Sequence, residues 1–256
     1  MGVTVGIDAG SRSIKVVVLD RGSGHVIAHG IDDQGTDQAD RVRRLCDRVL
    51  GECGTGHGTV RRTVATGYAR HIVEGADARV TEITCHARGV HHGAPDAKAI
   101  IEIGGQDSKI MWLGPDGTVH DFRMNDRCAA GTGRFLEMVS DRMAVPLHGL
   151  GALAARSRHP STISSMCVVF AESEIIGLLA CGAPREDIVA GVQAAIAARV
   201  AGMAGRMRDG PVIFTGGVAL VGGMAAALSA AIGTPVEVAP EPQMTGALGA
   251  ALIAAD

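Results

Sequence analysis

Aromatic side chains are nearly missing from this 256-residue chain: one Trp, one Tyr and four Phe make up 2% of it. Proteins that stack bases or follow a phosphate backbone need aromatics or a surplus of cations. Here 24 Lys and Arg stand against 27 Asp and Glu, a formal charge of -3, which sets nucleic-acid binding aside. Proline is sparse at 9 residues, hydrophobic residues reach 46% and charged residues 20%, so neither a disordered nor a collagen-like chain fits. The longest apolar runs, such as Met224 to Ile232, fall well short of the roughly 20 residues of a membrane span. No basic leader precedes the strand-like Met1-Gly2-Val3-Thr4-Val5, and the expected location is cytoplasmic. Six cysteines (Cys46, Cys53, Cys85, Cys128, Cys167, Cys181) include no CxxC pair. In a reducing compartment disulfides are not expected, and any metal they bind must collect its ligands from distant positions or from two chains. A Walker loop is absent, and no GxSxG elbow surrounds Ser11.

What is present is a repeated pattern. Val3 to Asp8 is an apolar run closed by an acid, Ala9 to Ser13 is a tight turn, and Ile14 to Leu19 is a second run. His25 to Gly30 extends this to a three-stranded meander, and the apolar spacing of Val42, Leu45, Val49 and Leu50 predicts a helix over Asp37 to Leu50. A strand at Arg62 to Ala65, ending at Thr66-Gly67, and a helix at Val80 to Val90 complete the first half. About 95 residues on, the same order begins again. Ala99 to Ile103 and Lys109 to Leu113 flank a glycine-rich turn, with a third strand at Val119 to Met124. Helices are expected at Gly131 to Met143, Ala171 to Ala180 and Arg185 to Met207, then a strand at Val212 to Phe214 and a final helix within Gly246 to Ala255. The fold expected is α/β, with two similar lobes around a nucleotide cleft, 1–94 and 95–256, and a final helix that returns to the first lobe.

The turns carry the chemistry. Asp8 with Gly10, Ser11, Arg12 and Ser13 sets a carboxylate beside unhindered backbone N–H groups, suited to phosphate oxygens and a hydrated Mg²⁺, and Lys15 adds a cation. Gly104, Gly105, Gln106 and Asp107 repeat those features, with Gln106 and Asp107 able to orient a water or the metal. Thr215, Gly216, Gly217, Val218 and Ala219, and Gly246 at the head of the last helix, are small enough to let a base and ribose approach backbone. This set resembles the ASKHA superfamily, the actin, hexokinase and acetate-kinase ATPase fold. The resemblance implies ATP/ADP binding with Asp8, Gln106 and Asp107 as catalytic candidates.

Two segments hold a cysteine just before a helix: Asn125 to Phe135 around Cys128, and Ser164 to Glu174 around Cys167. A helix N-terminus favours thiolate over thiol and stabilises an anionic cluster. A cubane cluster takes four thiolates and these segments supply two, so a twofold dimer is needed to complete the set. NDRCAAGTGRF and SSMCVVFAESEI, with IGGQDSK, ATGYAR and the C-terminal GALGAAL, resemble the BadF/BadG/BcrA/BcrD ATPase family, and within it the activators of 2-hydroxyacyl-CoA dehydratases. The resemblance implies a homodimeric ATPase with one [4Fe–4S] cluster held by Cys128 and Cys167 of each subunit. It further implies reduced ferredoxin or flavodoxin as electron source, and an iron–sulfur dehydratase or reductase acting on an acyl-CoA as electron acceptor. Raising one electron's driving force by about 0.3 V needs on the order of 7 kcal/mol, within reach of ATP turnover.

The remaining candidates read as packing or capping. Cys46 and Cys53 share a helical face, Cys85-His86 with His91-His92 shows no clean metal-ligand spacing, and Cys181 has no partner in sequence. Glu172 and Glu174 either cap their helix or act in electron transfer. Four functions are weighed: a dehydratase activator, the ATPase subunit of a benzoyl-CoA reductase, a small-molecule kinase of the same fold, and a zinc-stapled dimer.

Overall fold

The structure is a computed structural model and describes residues 2–125, 128–164, 167–205 and 210–256. Its first sheet begins with the meander β1 (Val3–Ala9), β2 (Ser13–Asp20) and β3 (Val26–Asp33), followed by helix α1 (Gln38–Glu52), β4 (Val60–Thr66), the short β5 (Ala78–Arg79) and α2 (Glu82–Gly93). The second begins with β6 (Ala99–Ile103), β7 (Ser108–Leu113) and β8 (Val119–Asn125). It continues through α3 (Gly133–Met143), α4 (Leu150–Ala154), α5 (Val168–Ala180), α6 (Arg185–Ala204), β9 (Val212–Thr215), α7 (Met224–Ile232) and β10 (Val236–Val238), and the chain ends in α8 (Thr245–Ala255).

The sheets share one topology, β3-β2-β1-β4-β5 and β10-β9-β6-β7-β8. In each, a central strand pairs antiparallel with the strand after it in sequence (β1 with β2, β6 with β7) and parallel with a later one (β1 with β4, β6 with β9). Parallel neighbours demand crossover connections, and in the first sheet α1 and α8 cover the two faces.

By contacts the chain divides into two units: 1–97 with 113–120 and 239–256, and 98–112 with 121–238. In the first, every residue of β1 is buried. One face packs under Val42, Leu45, Val49 and Leu50 of α1. On α8, Ala247, Ala251 and Leu252 pack with Val17 and Leu19 of β2, while Ala250 and Ala254 meet Val64 and Cys85. Gly6 lets α8 approach β1 closely, since a Cβ there would overlap the Ala247 carbonyl, and Thr4 Oγ1 donates to the Ala251 carbonyl at 3.0 Å. In the second unit, Ile188, Val192, Ile196 and Val200 of α6 and Phe135, Leu136, Val139 and Met143 of α3 join Ile101, Ile103, Ile110 and Phe214 of the sheet in one core.

Several expected boundaries move, each for a local reason. Thr81, itself extended, accepts the Thr84 N–H on its Oγ1 and so caps α2 at Glu82, later than expected. The helix expected from Gly131 is broken into a 3₁₀ turn, Ala129–Gly131, and α3 proper. The expected end of α6 at Met207 lies outside the described residues; the described helix stops at Ala204. By length and composition α6 meets the criterion for a membrane span that no uninterrupted apolar run meets, yet ten of its residues are buried in the protein interior, as in a core helix.

Candidate functional site

The hairpin turn after β1 is closed by Gly10 N donating to the Ser13 carbonyl at 3.1 Å and braced by Gln34 Nε2 on the Gly10 carbonyl at 2.8 Å. Asp8, 5% exposed, faces Lys15 across the β1–β2 register, with Nζ 3.1 Å from Oδ2. Three glycines approach this carboxylate. A Cβ on Gly67 would come within 2.5 Å of Oδ1, one on Gly246 within 3.3 Å of Oδ2, and one on Gly10 within 3.7 Å of Oδ1 and 3.1 Å of Lys15 Nζ. Gly67 has φ +95°, a conformation that glycine adopts without strain. Ser13 is buried, Ser11 half-buried, and Arg12 is exposed with Nη1 3.0 Å from Asp33.

The turn after β6 repeats this arrangement with one difference. Lys109, whose side chain is 3% exposed, lies opposite Glu102 in the β6–β7 register, and its Nζ reaches Glu102 Oε2 at 3.0 Å and Asp107 Oδ2 at 2.7 Å. The counterpart of Asp8 is therefore Glu102, which sequence reasoning missed in favour of Asp107. The signal lies in the spacing: acid-x-Gly-x₄-Lys occurs at Asp8 to Lys15 and again at Glu102 to Lys109. Asp107 instead shares the lysine, and Gln106 is exposed. Gly216, φ +90°, stands to Glu102 as Gly67 does to Asp8. Its Cβ would overlap the Ile103 carbonyl and come within 2.8 Å of Glu102 Oε1, and a Cβ on Gly104 would lie 3.2 Å from the same oxygen. Thr215 is fully buried at the end of β9, and Gly217–Leu220 continues as a 3₁₀ turn with Val218 and Ala219 buried. Gly246 belongs to the first unit, with Asp8, and the 215–219 segment to the second. Bare backbone around an ion-paired acid is the donor set that phosphate oxygens and a hydrated divalent cation require.

The two cysteines sit where helices begin. Cys128 precedes the 3₁₀ turn that leads into α3, and Cys167 is the N-cap residue of α5; neither position supplies a side-chain cap bond. Asn125, the last residue of β8, clamps Cys128 from both sides: Nδ2 donates to its carbonyl at 3.0 Å and Oδ1 accepts its N–H at 3.2 Å. Asp126, Arg127, Ser165 and Met166 of the two motifs lie outside the described residues. Glu174 accepts from the Ser164 N–H and hydroxyl, fixing the approach to Cys167, and Glu172 pairs with Arg142 in the last turn of α3. Glu172 thus ties the two cysteine-bearing helices together, while Glu174 holds α5 to Ser164. The first turn of α3 is bonded to the glycine turn itself, Gly133 N to the Gly104 carbonyl at 2.8 Å and Arg134 N to the Gly105 carbonyl at 2.9 Å. Around Cys167 the α5 surface is apolar and open: Val169 and Phe170 are 67% and 68% exposed, and Ile176 is exposed too. Two thiols at helix entries, one within an exposed apolar patch, suit half of a cluster site shared between chains.

The other cysteines are built differently. Burial pushes the Cys46 and Cys85 thiols up to about 12, reinforced by Asp47 at Cys46 and countered by Thr66 at Cys85. Cys53 closes α1 with Sγ on the Val49 and Leu50 carbonyls. Among the described residues no group of three or more His, Cys, Asp or Glu side chains gathers to hold a metal.

Residues 5–254 match the BadF/BadG/BcrA/BcrD ATPase family. The chain is 42% identical to the activator of lactoyl-CoA dehydratase of Anaerotignum propionicum, over 98% of this chain and 96% of that protein. It superposes with TM-score 0.92 and 40% identity on the activator of the 2-hydroxyisocaproyl-CoA dehydratase from Clostridium difficile, a structure with bound ADPNP, over 99% and 94% of the two chains. A benzoyl-CoA reductase subunit of Thauera aromatica is 28% identical over 98% of this chain and 93% of that protein. A ROK family glucokinase from Streptomyces griseus, 16% identical with TM-score 0.61 over 99% of both chains, shares the fold alone. The fold is that of the actin and hexokinase-like α/β proteins, and the chain belongs to the BadF/BadG/BcrA/BcrD ATPase family.

Proposed function

We propose that this protein is a cytoplasmic ATP-driven electron donor. It works as a homodimer and activates an iron–sulfur dehydratase that acts on a 2-hydroxyacyl-CoA. ATP and ADP are bound with Mg²⁺ by the turn from Asp8 to Lys15, the turn from Gly104 to Asp107, the Thr215 to Ala219 segment and Gly246. The observation that carries the reading is the pair of cysteine-led helices, Cys128 before α3 and Cys167 on α5, tied to each other through Arg142 and Glu172. Cys128 and Cys167 of each copy are the four ligands of one [4Fe–4S] cluster, which supplies a one-electron carrier when bound.

The chain's own residues divide the work. Asp8 and Glu102, each fixed by a lysine on the next strand, orient the cation and the attacking water, with Gln106 and Asp107 beside them. Backbone N–H groups of the glycine turns receive the phosphates. The Gly133 and Arg134 bonds to the Gly104 and Gly105 carbonyls give any shift of that turn a direct purchase on α3, and Arg142 passes it to α5. Val169, Phe170 and Ile176 of α5 are covered by the second copy and exclude water from the thiolates. Reduced ferredoxin or flavodoxin recharges the dimer.

Anaerobic purification followed by iron and sulfide analysis tests this directly. About four irons per dimer and a brown colour that bleaches with dithionite are expected. Unchanged iron content in Cys128→Ser or Cys167→Ser overturns it, as does electron delivery to the dehydratase that is equally fast with and without ATP. The likeness to the Thauera reductase component favours a second reading, the ATPase subunit of a benzoyl-CoA reductase, which stable co-purification with substrate-reducing subunits would select.

A further inference from the structure

Thr66 closes β4, and in the parallel pairing of β4 with β1 it stands beside Asp8. On the other side of β1, Asp8 stands beside Lys15. In-register neighbours point to one face of a sheet, so Lys15, Asp8 and Thr66 form a row across three strands. The row lies at the carboxyl ends of two parallel strands, where sheets of this kind bind ligands. The second sheet carries the same row, Lys109, Glu102 and Thr215, and each threonine is followed by a glycine in the left-handed region, Gly67 at φ +95° and Gly216 at φ +90°. Thr66 is 1% exposed, and its Oγ1 has no hydrogen-bond partner. Native structures leave few buried polar groups unpaired, because each is costly. Three of the four such side-chain atoms among the described residues lie at the two turns: Thr66 Oγ1, Ser108 Oγ directly after Asp107, and Oε1 of Gln34, whose Nε2 braces the Gly10 carbonyl. The Thr66 hydroxyl counters the upward push on the Cys85 thiol. Its hydrogen thus has that sulfur, a weak acceptor, to turn to, and the oxygen lone pairs stay open.

We propose that Thr66 is a further catalytic residue of the nucleotide site, its Oγ1 accepting a hydrogen from the water that Asp8 orients. The inference rests on the reading of Asp8 as the carboxylate of that site. Adjacent strands put their Cα atoms about 4.8 Å apart, yet no hydrogen bond joins the Thr66 hydroxyl to its neighbour. One water with a hydrogen for each serves both groups. Such a water gives one hydrogen to the carboxylate and the other to Thr66, which leaves its lone pair for the γ-phosphorus of ATP. In the attack the water oxygen forms the new bond to phosphorus, the bond from phosphorus to the ADP oxygen breaks, and the proton released passes to Asp8. Two acceptors fix the direction of the lone pair; the carboxylate alone leaves the water free to swing about a single bond.

Thr66→Val keeps the shape and removes the acceptor, while Thr66→Ser keeps the acceptor. The full-length protein is assayed for ATP hydrolysis with Mg²⁺, for ADPNP affinity by calorimetry, and for melting temperature without nucleotide. Expected for Thr66→Val is a kcat at least about 10-fold lower, with KM and ADPNP affinity within about 3-fold of wild type. Its melting temperature without nucleotide is expected to be no lower than that of wild type, since the hydroxyl removed makes no bond within the protein. Thr66→Ser is expected to stay within about 3-fold of wild type in kcat. A Val variant with wild-type kcat or a Ser variant as impaired as Val overturns the proposal. So does a Val variant that melts well below wild type or fails to fold, because that result places the hydroxyl's bond inside the protein. With ATP hydrolysis by wild type intact, these outcomes leave the nucleotide site standing. A wild-type protein that neither binds nor hydrolyses ATP overturns both.

Discussion

Glu102 and Lys109 face each other across β6 and β7 with 3.0 Å between Oε2 and Nζ, both nearly inaccessible to water. Lys109 also holds Asp107, so one buried cation serves two acids. Breaking a buried pair from one side leaves an uncompensated charge, at a cost of about 3–5 kcal/mol. Lys109→Met is therefore expected to lower the urea midpoint sharply. Glu102→Gln keeps the shape and is expected to lose ATP hydrolysis while melting closer to wild type. A Glu102→Gln protein with full ATPase activity would show that Glu102, although it stands where Asp8 does in the other sheet, takes no part in hydrolysis.

Asn125 makes two bonds to the Cys128 backbone, and its part is to hold the cysteine segment rather than the nucleotide. Asn125→Ala is expected to bind nucleotide normally and to lose iron about 10-fold faster on exposure to a chelator. Equal rates of iron release from wild type and variant would refute the assignment.

Thiol reactivity should divide the cysteines by burial. With pKa values pushed up to about 12, Cys46 and Cys85 carry roughly 10⁻⁴ thiolate at pH 8. In iron-free protein an alkylating agent should label the exposed Cys167 and Cys181 within minutes and leave Cys46 and Cys85 until unfolding. Mass spectrometry of the labelled peptides gives the order, and early labelling of Cys85 would contradict the structure.

Asp187 at the start of α6 accepts from Ser157 Oγ at 2.7 Å and from the N–H groups of Arg158 and His159. The Ser157 bond first, then the backbone N–H groups, hold its carboxyl below the ordinary 3.8. A lowered folded pKa means that this contribution to stability is complete above the unfolded value and disappears as pH falls through the folded one. Asp187→Asn should thus be less stable than wild type at pH 7, with the difference in urea midpoint closing toward pH 3. A difference independent of pH would exclude the charge as its source.

The two meanders are readable in the sequence because each offers short apolar runs broken by Gly-rich turns, the Gly22-Ser23-Gly24 turn before β3 included. α7 carries no such signal: Met224–Ile232 is apolar all round, with only Met224 and Leu228 buried, so no period marks it as a helix. β10 has three residues, too few for any alternation. At the site, the glycines and Cys128 and Cys167 stand out by type. Glu102 does not, because an acid inside an apolar strand draws no attention until a lysine seven residues on is counted with it. His86 reads in sequence as a companion of Cys85, since only the fold reveals Thr245 as its partner, 159 residues away.

Thr4 reaches Ala251, 247 residues further along, and Gly6 lies bare to receive α8. On the ribosome the opening strand must therefore wait, one face unclad, until residue 251 has been translated, while residues 98–112 and 121–238 together already hold the partners for their own interior. Loop closure over so long a span is slow, and the nascent amino-terminal half is the part of this protein most in need of a chaperone.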